Sequence, residues 1–383
     1  MSELLRWCEA RRQAMVDELD ELVRLETPTT DKAAVDRCGR LLQSRLEALG
    51  ASVERHPQEQ VGDMLLASWH ADAPGPAILF LTHTDTVWPL GTLAERPPRI
   101  DDEGRFLGPG AIDMKGGIVI VLTAIRALVE RGELPRRPLR VLVTSDEELG
   151  SRYSKKLIMD TAADCGLVLV MEPATKEGAL KTWRKGVATY ELLAEGRASH
   201  AGNAPEQGIN AIVELAQQIC ALNEMNDLQR GTSVSVTVVE GGITTNVIPP
   251  RATARVDVRT LSVRAMDEVD SAILALQPRV PGARLTVTRH HRRAPMERNE
   301  GMIAAFNQAR AIGAALGLTV REDGSGGGSD GNFTAAAGIT TLDGLGPQGD
   351  GLHAEHEHVI INSLPQRAAL VAGMLRDWQF PTP

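Results

Sequence analysis

Apolar residues recur at helical spacing over 3–25 and again over 31–49, and Gly50 stands where a left-handed stop would close the second run. Three near-continuous apolar runs follow, AILFLT (77–82), LRVLVTS (139–145) and LVLVM (167–171), each bounded by Pro or Gly. Runs of this kind predict strands covered on both faces, as in an α/β sheet. The stretch 118–130 predicts a helix between the first two.

Near residue 180 the period changes. Alternation over 187–193, 233–239, 253–258 and 284–290 predicts strands, and helical spacing over 210–223 and 265–276 predicts two helices between them. The order is β-α-β-β-α-β, the split arrangement of ferredoxin-like domains. This segment interrupts the α/β pattern. The pattern resumes with a helix over 301–316, a Gly-rich loop at 324–328, a short strand near 339–342 and a last helix near 364–380. The predicted organisation is a discontinuous α/β domain, 1–180 with 293–383, and an insert over 181–292.

The length of 383 residues allows two or three domains at about 150 residues each. The formal charge of −9 and the scarcity of aromatic residues (five Trp, two Tyr, five Phe) argue against nucleic acid as a partner. The longest apolar stretch is too short to span a bilayer, so no membrane role is expected. The first residues carry both charge signs and do not resemble a signal peptide. Cys8, Cys38, Cys165 and Cys220 are widely spaced, which suits unpaired thiols in the cytoplasm.

Open α/β sheets bind ligands beyond the carboxyl ends of their strands. There the first buried run delivers His83 and Asp85, the second Glu147 and Glu148, and the third Glu172. Asp113 lies in a loop just before a helix, where its two oxygens could each serve one of two cations. His353 follows a glycine-rich loop, which favours it as a ligand over His356 and His358. His83, Asp113, Glu148, Glu172 and His353 together form an N/O donor set suited to Zn²⁺, with Co²⁺ or Mn²⁺ as alternatives. A carboxylate-bridged pair would lie roughly 3.5–4 Å apart. Asp85 is placed to accept the free ring N–H of His83, and Glu147 is the candidate general base. The run Gly326–Gly328 reads either as a flexible linker or, with Ser329 and Asp330 following, as an N–H nest for an anion.

The chain resembles the dinuclear zinc exopeptidase and aminoacylase family. The matching pieces are THTDTV (82–87), GPGAIDMKGG (108–117), SDEELGS (145–151), MEP (171–173), RASHAGNAPEQGINA (197–211), TNVIP (245–249), VDVR (256–259), GGGSD (326–330) and GLH (351–353). The likeness leans to the glutamate carboxypeptidase (carboxypeptidase G) type. It implies a zinc-dependent exopeptidase-like catalytic domain with an inserted dimerisation domain, two zinc ions per subunit and a homodimer. His83 and Glu172 would complete one zinc site, His353 and Glu148 the other, with Asp113 bridging. It also implies that His200 stabilises the oxyanion in the partner subunit's site and that Asn246 and Arg259 hold a substrate carboxylate, Arg259 having a salt bridge as its structural alternative. Gly327, Gly328 and Ser329 would assist them. The implied reaction is hydrolysis of an amide to release a C-terminal, glutamate-like amino acid, with diamino-acid deacylation or dipeptide cleavage as alternatives. Two stretches depart from the family pattern, Trp88-Pro89 and HAEHEH (353–358), and both bear on the substrate pocket.

Overall fold

The computed structural model describes residues 2–380. The first predicted helix is two, α1 (Glu3–Glu9) and α2 (Arg12–Val23). No Gly or Pro marks the break. Arg11 leaves helical geometry at φ −108°, ψ 12°, and both helices still bury their apolar faces, Leu4 and Cys8 on one and Leu19 and Leu22 on the other. Packing has overridden local propensity here. Helix α3 (Lys32–Ala48) is capped by Asp31, which accepts the Ala34 N–H, and it stops before Gly50 at φ 86°.

Two strands that the apolar runs did not reveal come next, β1 (Ser52–His56) and β2 (Met64–Trp69). Strand β1 is an edge strand with partly exposed side chains throughout, so it carries no buried run to read. Then follow β3 (Ala77–His83), helix α4 (Gly116–Glu130), β4 (Leu139–Thr144), helix α5 (Lys155–Ala162) and β5 (Cys165–Val170). Every residue of β3 is buried. Gly117 opens α4 against the end of β5, where a Cβ would come within 2.1 Å of the Met171 carbonyl oxygen. Only glycine allows that approach.

The insert is built as β6 (Gly186–Glu195), α6 (Ala211–Glu224), β7 (Ser233–Gly241), β8 (Arg251–Thr260), α7 (Val263–Leu274) and β9 (Arg284–Arg293). Its sheet order is β7-β8-β6-β9, antiparallel throughout. Strict alternation along β6 and β8 buries Ala188, Tyr190, Leu192, Val256 and Val258 in a core separate from that of the α/β unit. The Tyr190 hydroxyl donates to Asp270 on α7 at 2.7 Å, which ties helix to sheet.

The chain then returns through α8 (Glu300–Leu316), β10 (Thr341–Leu342) and α9 (Ser363–Asp377). Strand β10 completes a six-stranded sheet of order β1-β2-β4-β3-β5-β10, in which β4, β3, β5 and β10 run parallel. Among the described residues no helix is long and apolar enough to cross a membrane.

Contacts divide the chain into two units. One runs through Thr182 and resumes with Arg298–Ser325 and from Ser329 onward; the other holds Trp183–Glu297 and Gly326–Gly328. The insert therefore extends past the 292 boundary read from the pattern. Met296 continues the pairing, exchanging backbone hydrogen bonds with Arg184 at 3.0 Å in both directions.

Candidate metal centre

Parallel pairing of β3 with β4 and β5 brings their carboxyl ends to one rim. His83 ends β3, Glu147 and Glu148 start the turn after β4, and Glu172 follows β5. Asp113 comes from the irregular segment Ala111–Lys115, where its own φ −116°, ψ 93° breaks helical geometry before α4 begins.

The Asp113 carboxylate divides between two imidazoles. Oδ1 lies 3.3 Å from His83 Nε2, and Oδ2 lies 3.2 Å from His353 Nε2. Glu172 Oε1 is 3.3 Å from His83 Nε2, and Glu148 Oε2 is 3.2 Å from His353 Nε2. Two triads result, His83–Asp113–Glu172 and Asp113–Glu148–His353, each with its ligand atoms within 4.8 Å of one another and sharing Asp113. His83, Asp113 and Glu172 are buried, while the His353 side chain is half exposed.

These residues fit a pair of cations. His83 Nε2 and Glu148 Oε1 are buried polar atoms with no hydrogen-bond partner, and buried polar atoms are normally satisfied. Three carboxylates crowded together also need compensating positive charge. Imidazole nitrogen with carboxylate oxygen is the donor chemistry of zinc and of its divalent neighbours.

Without cations, protons take part of that role. Hydrogen bonds facing Asp113 and Glu148 push the His353 imidazolium up to about 10. Burial opposes ionisation of Asp113, but the imidazoles of His353 and His83 outweigh it and hold the carboxyl well below the usual carboxylate range. Burial, with Asp113 and Glu147 as negative neighbours, pushes Glu148 up to about 8 against the opposing pull of the His353 and His83 imidazoles.

Asp85 acts differently from the expectation. The hydrogen-bond partner of His83 Nδ1 is the Asp85 carbonyl, at 3.0 Å, while the carboxylate stands 3.4 Å away. A carbonyl only accepts, so Nδ1 carries the proton and Nε2 turns its lone pair to the site. The buried Asp85 carboxylate instead accepts the amides of Glu147 (3.3 Å) and Glu148 (3.1 Å) and the Thr29 hydroxyl (2.8 Å).

The remaining assignments fall mostly in the insert. His200 and Asn246 are brought together by a small ladder in which His200 pairs with Val247, and the Ala201 N–H donates to the Asn246 carbonyl at 2.9 Å. His200 Nδ1 accepts the amides of Gly202 (3.1 Å) and Asn203 (3.0 Å), which leaves Nε2 as the N–H donor. Arg259 is gripped by Asp257 through Nε (2.8 Å) and Nη2 (3.0 Å), so the salt bridge is formed, and its Nη1 donates to the Gly326 carbonyl at 3.4 Å. The carbonyls of Gly327 and Gly328 accept from Arg184 Nη1 at 3.2 and 3.3 Å. Ser329 closes the Gly-rich loop expected to hold the substrate carboxylate. It is fully buried; its hydroxyl donates to Asp343 at 2.6 Å and its amide to Asn332 at 2.9 Å, so its polar groups serve the loop's interior.

Among the buried charged residues that escaped the sequence reading, two lie in or against the segment of Asp113. Lys115, inside the Asp113 motif, donates its ammonium to the Leu25 carbonyl at 2.7 Å, and burial lowers its pKa. Glu357, hidden among the histidines of HAEHEH, accepts from the backbone of the Asp113 loop, and burial pushes its carboxyl up to about 7. A buried Glu has no periodic signature; its only cue was an acidic residue close after the candidate ligand His353.

Residues 79–377 match Peptidase family M20/M25/M40. The chain belongs to that family. It is 31% identical over 377 residues to carboxypeptidase G2 of Pseudomonas sp. (strain RS-16), covering 95% of this chain and 89% of that enzyme. It is 30% identical over 358 residues to a succinyl-diaminopimelate desuccinylase of Alkalilimnicola ehrlichii, covering 88% and 93%. The fold is similar to a tripeptidase of Staphylococcus aureus, with a TM-score of 0.80 at 20% identity, covering 96% and 98% of the two chains. The M20 chain described here is thus a metal-dependent hydrolase of amide bonds.

Proposed function

We propose that this M20 enzyme releases a C-terminal, glutamate-like amino acid from an N-acyl or peptidyl substrate, using two zinc ions. The observation that carries the reading is the sharing of Asp113 between two complete triads. The likeness to carboxypeptidase G2 supports the choice of leaving amino acid. When bound, the cations supply Lewis-acid polarisation of the scissile carbonyl and acidify the attacking water. Glu147 removes the water proton, the oxygen adds to the carbonyl carbon, and the C–N bond breaks as Glu147 returns the proton to the amine nitrogen. His200, donating from Nε2, holds the developing oxyanion in the partner subunit's site. Asn246 and Arg259 hold the free carboxylate, Asp257 keeping the guanidinium oriented. Gly327 and Gly328 border that carboxylate through their backbone.

A homodimer through the insert also belongs to this reading. Its support is edge strand β7, where Val239 is 55% exposed, with Ile243 beyond it at 75% and Ile212 and Val213 on α6 also exposed. All four cysteines are unpaired, which supports a reducing compartment, and we assign the cytoplasm.

The desuccinylase likeness favours a second reading, hydrolysis of acylated diamino acids. One panel separates the two: folyl-glutamate, N-acyl-glutamates, N-succinyl- and N-acetyl-diamino acids and dipeptides, with and without chelator. Release of free glutamate that the chelator abolishes is the expected result. Turnover of the diamino-acid conjugates alone would transfer the assignment to the second reading.

A further inference from the structure

Asp113 has to offer one oxygen to each triad, which leaves its carboxylate little angular freedom. Yet it sits in an irregular segment, where Asp113 and Met114 both depart from helical geometry. Something outside that segment must fix it. The Glu357 side chain accepts three of its backbone amides: Gly110 N–H to Oε2 at 2.9 Å, Ile112 N–H to Oε1 at 3.1 Å and Asp113 N–H to Oε1 at 3.3 Å. A fourth donor, Trp88 Nε1, reaches Oε2 at 2.7 Å. The Glu357 carbonyl also accepts the Gly108 N–H at 3.3 Å.

The position of Glu357 in the chain gives these bonds their meaning. It lies four residues after His353, and the turn between them is closed by Ala354 N–H to the Gly351 carbonyl (2.9 Å) and Glu357 N–H to the Ala354 carbonyl (3.0 Å). Gly351, at φ 81°, permits this fold-back, since a Cβ there would meet Glu357 N at 2.8 Å. Trp88 follows the segment that carries His83 and Asp85. One buried carboxylate therefore joins the loop of Asp113, the turn of His353 and the segment after His83. The stretches Trp88-Pro89 and HAEHEH meet at this contact.

We propose that Glu357 is a positioning residue, holding the 110–113 backbone so that Asp113 faces both triads at once. The proposal rests on reading the site as a two-cation centre. A carboxylate suits the task because all four donors are N–H groups and both its oxygens accept. An amide would set its own NH₂ against two of them.

The test uses the full chain and Zn²⁺ or Co²⁺ as the probe. Metal stoichiometry and affinity are measured by competition with a chromophoric chelator, and the visible absorption of the Co²⁺-loaded protein reports ligand geometry. Wild type should bind two ions; if it binds fewer, the two-cation reading fails, whatever Glu357 does. With two bound to wild type, Glu357→Gln should weaken apparent zinc affinity by about 10- to 100-fold and shift the Co²⁺ bands. At saturating metal it should lower kcat with less change in KM. Affinity and Co²⁺ spectrum equal to wild type would overturn the proposal. Should the Gln variant not fold, Glu357→Asp carries the same test. It keeps the charge but is one methylene short of the loop, so wild-type affinity and spectrum in that variant would overturn the proposal equally.

Discussion

Asp85 Oδ2 accepts the backbone N–H of Glu148 at 3.1 Å. The same carboxylate accepts the neighbouring amide of Glu147, so it holds the turn bearing both a proposed ligand and the proposed base. Asp85→Asn sets an amide NH₂ against one of those two donors, which reach different oxygens, and loosens the turn. We expect kcat to fall about 10- to 100-fold with KM little changed and metal content kept. Glu147→Gln should lower kcat further, by about 10²- to 10⁴-fold, again with metal retained. Steady-state kinetics with metal analysis on the same preparations checks both, and full turnover by the Glu147 variant would remove it from the role of base.

Metal loading should depend on pH through His353. Its folded-state pKa of about 10 lies above the value of about 6.5 for an unperturbed histidine. In the metal-free protein its ion pairs therefore stabilise fully below pH about 6.5, and that contribution is lost as pH rises through about 10. A cation must displace the same proton, so apparent zinc affinity should rise between pH about 7 and 9, by about tenfold per pH unit from His353 alone and more steeply below about 8, where Glu148 also gives up a proton. Calorimetry in two buffers of different ionisation enthalpy should register the released proton. A flat affinity across that range would contradict the assignment of His353 as ligand.

Gly117→Ala should be costly in two ways. The new Cβ falls 2.1 Å from the Met171 carbonyl oxygen, a rigid backbone atom, so α4 must move away from the end of β5. A loss of about 2 kcal/mol or more is expected from urea unfolding. Because Glu172 follows Met171 and Asp113 precedes α4, zinc affinity should fall with stability. Unchanged affinity in a folded variant would mean that the two proposed ligands do not depend on that contact.

Arg259→Lys keeps the positive charge but loses the two-pronged grip of Asp257 and the planar fork. If Arg259 receives the substrate carboxylate, KM for acyl-glutamates should rise about 10- to 100-fold while kcat changes less. Equal kinetics for substrates with a free and an amidated carboxylate would instead leave the arginine a structural role alone.

The convergence of the proposed ligands was legible in the sequence for a physical reason. Strands β3, β4 and β5 are covered on both faces, so they read as continuous apolar runs, and parallel pairing puts whatever follows each run at one rim. His83, Glu148 and Glu172 needed only that rule. Strand β1 was illegible because an edge strand has little to bury, and the α1–α2 break because no residue type marks it. Contacts of the site's supporting residues were harder still. The partner of His83 Nδ1 is a carbonyl, which every residue owns, and the carboxylate expected there holds a turn instead. Ser329 looked available from its glycine-rich setting, yet Asp343 and Asn332 take its polar groups. Side chain to backbone bonds between distant segments leave no period, and Glu357 makes three of them.

The insert begins with β6 and ends with β9, and these two strands are neighbours, Val187 lying across from Arg293. Its two ends therefore leave side by side. A module whose termini meet in this way can be gained, lost or exchanged at a single point in a gene while the host sheet keeps every strand in register. Selection can then remodel the detachable part for new acyl groups or new assemblies, and the cation-holding rim need not be reinvented each time.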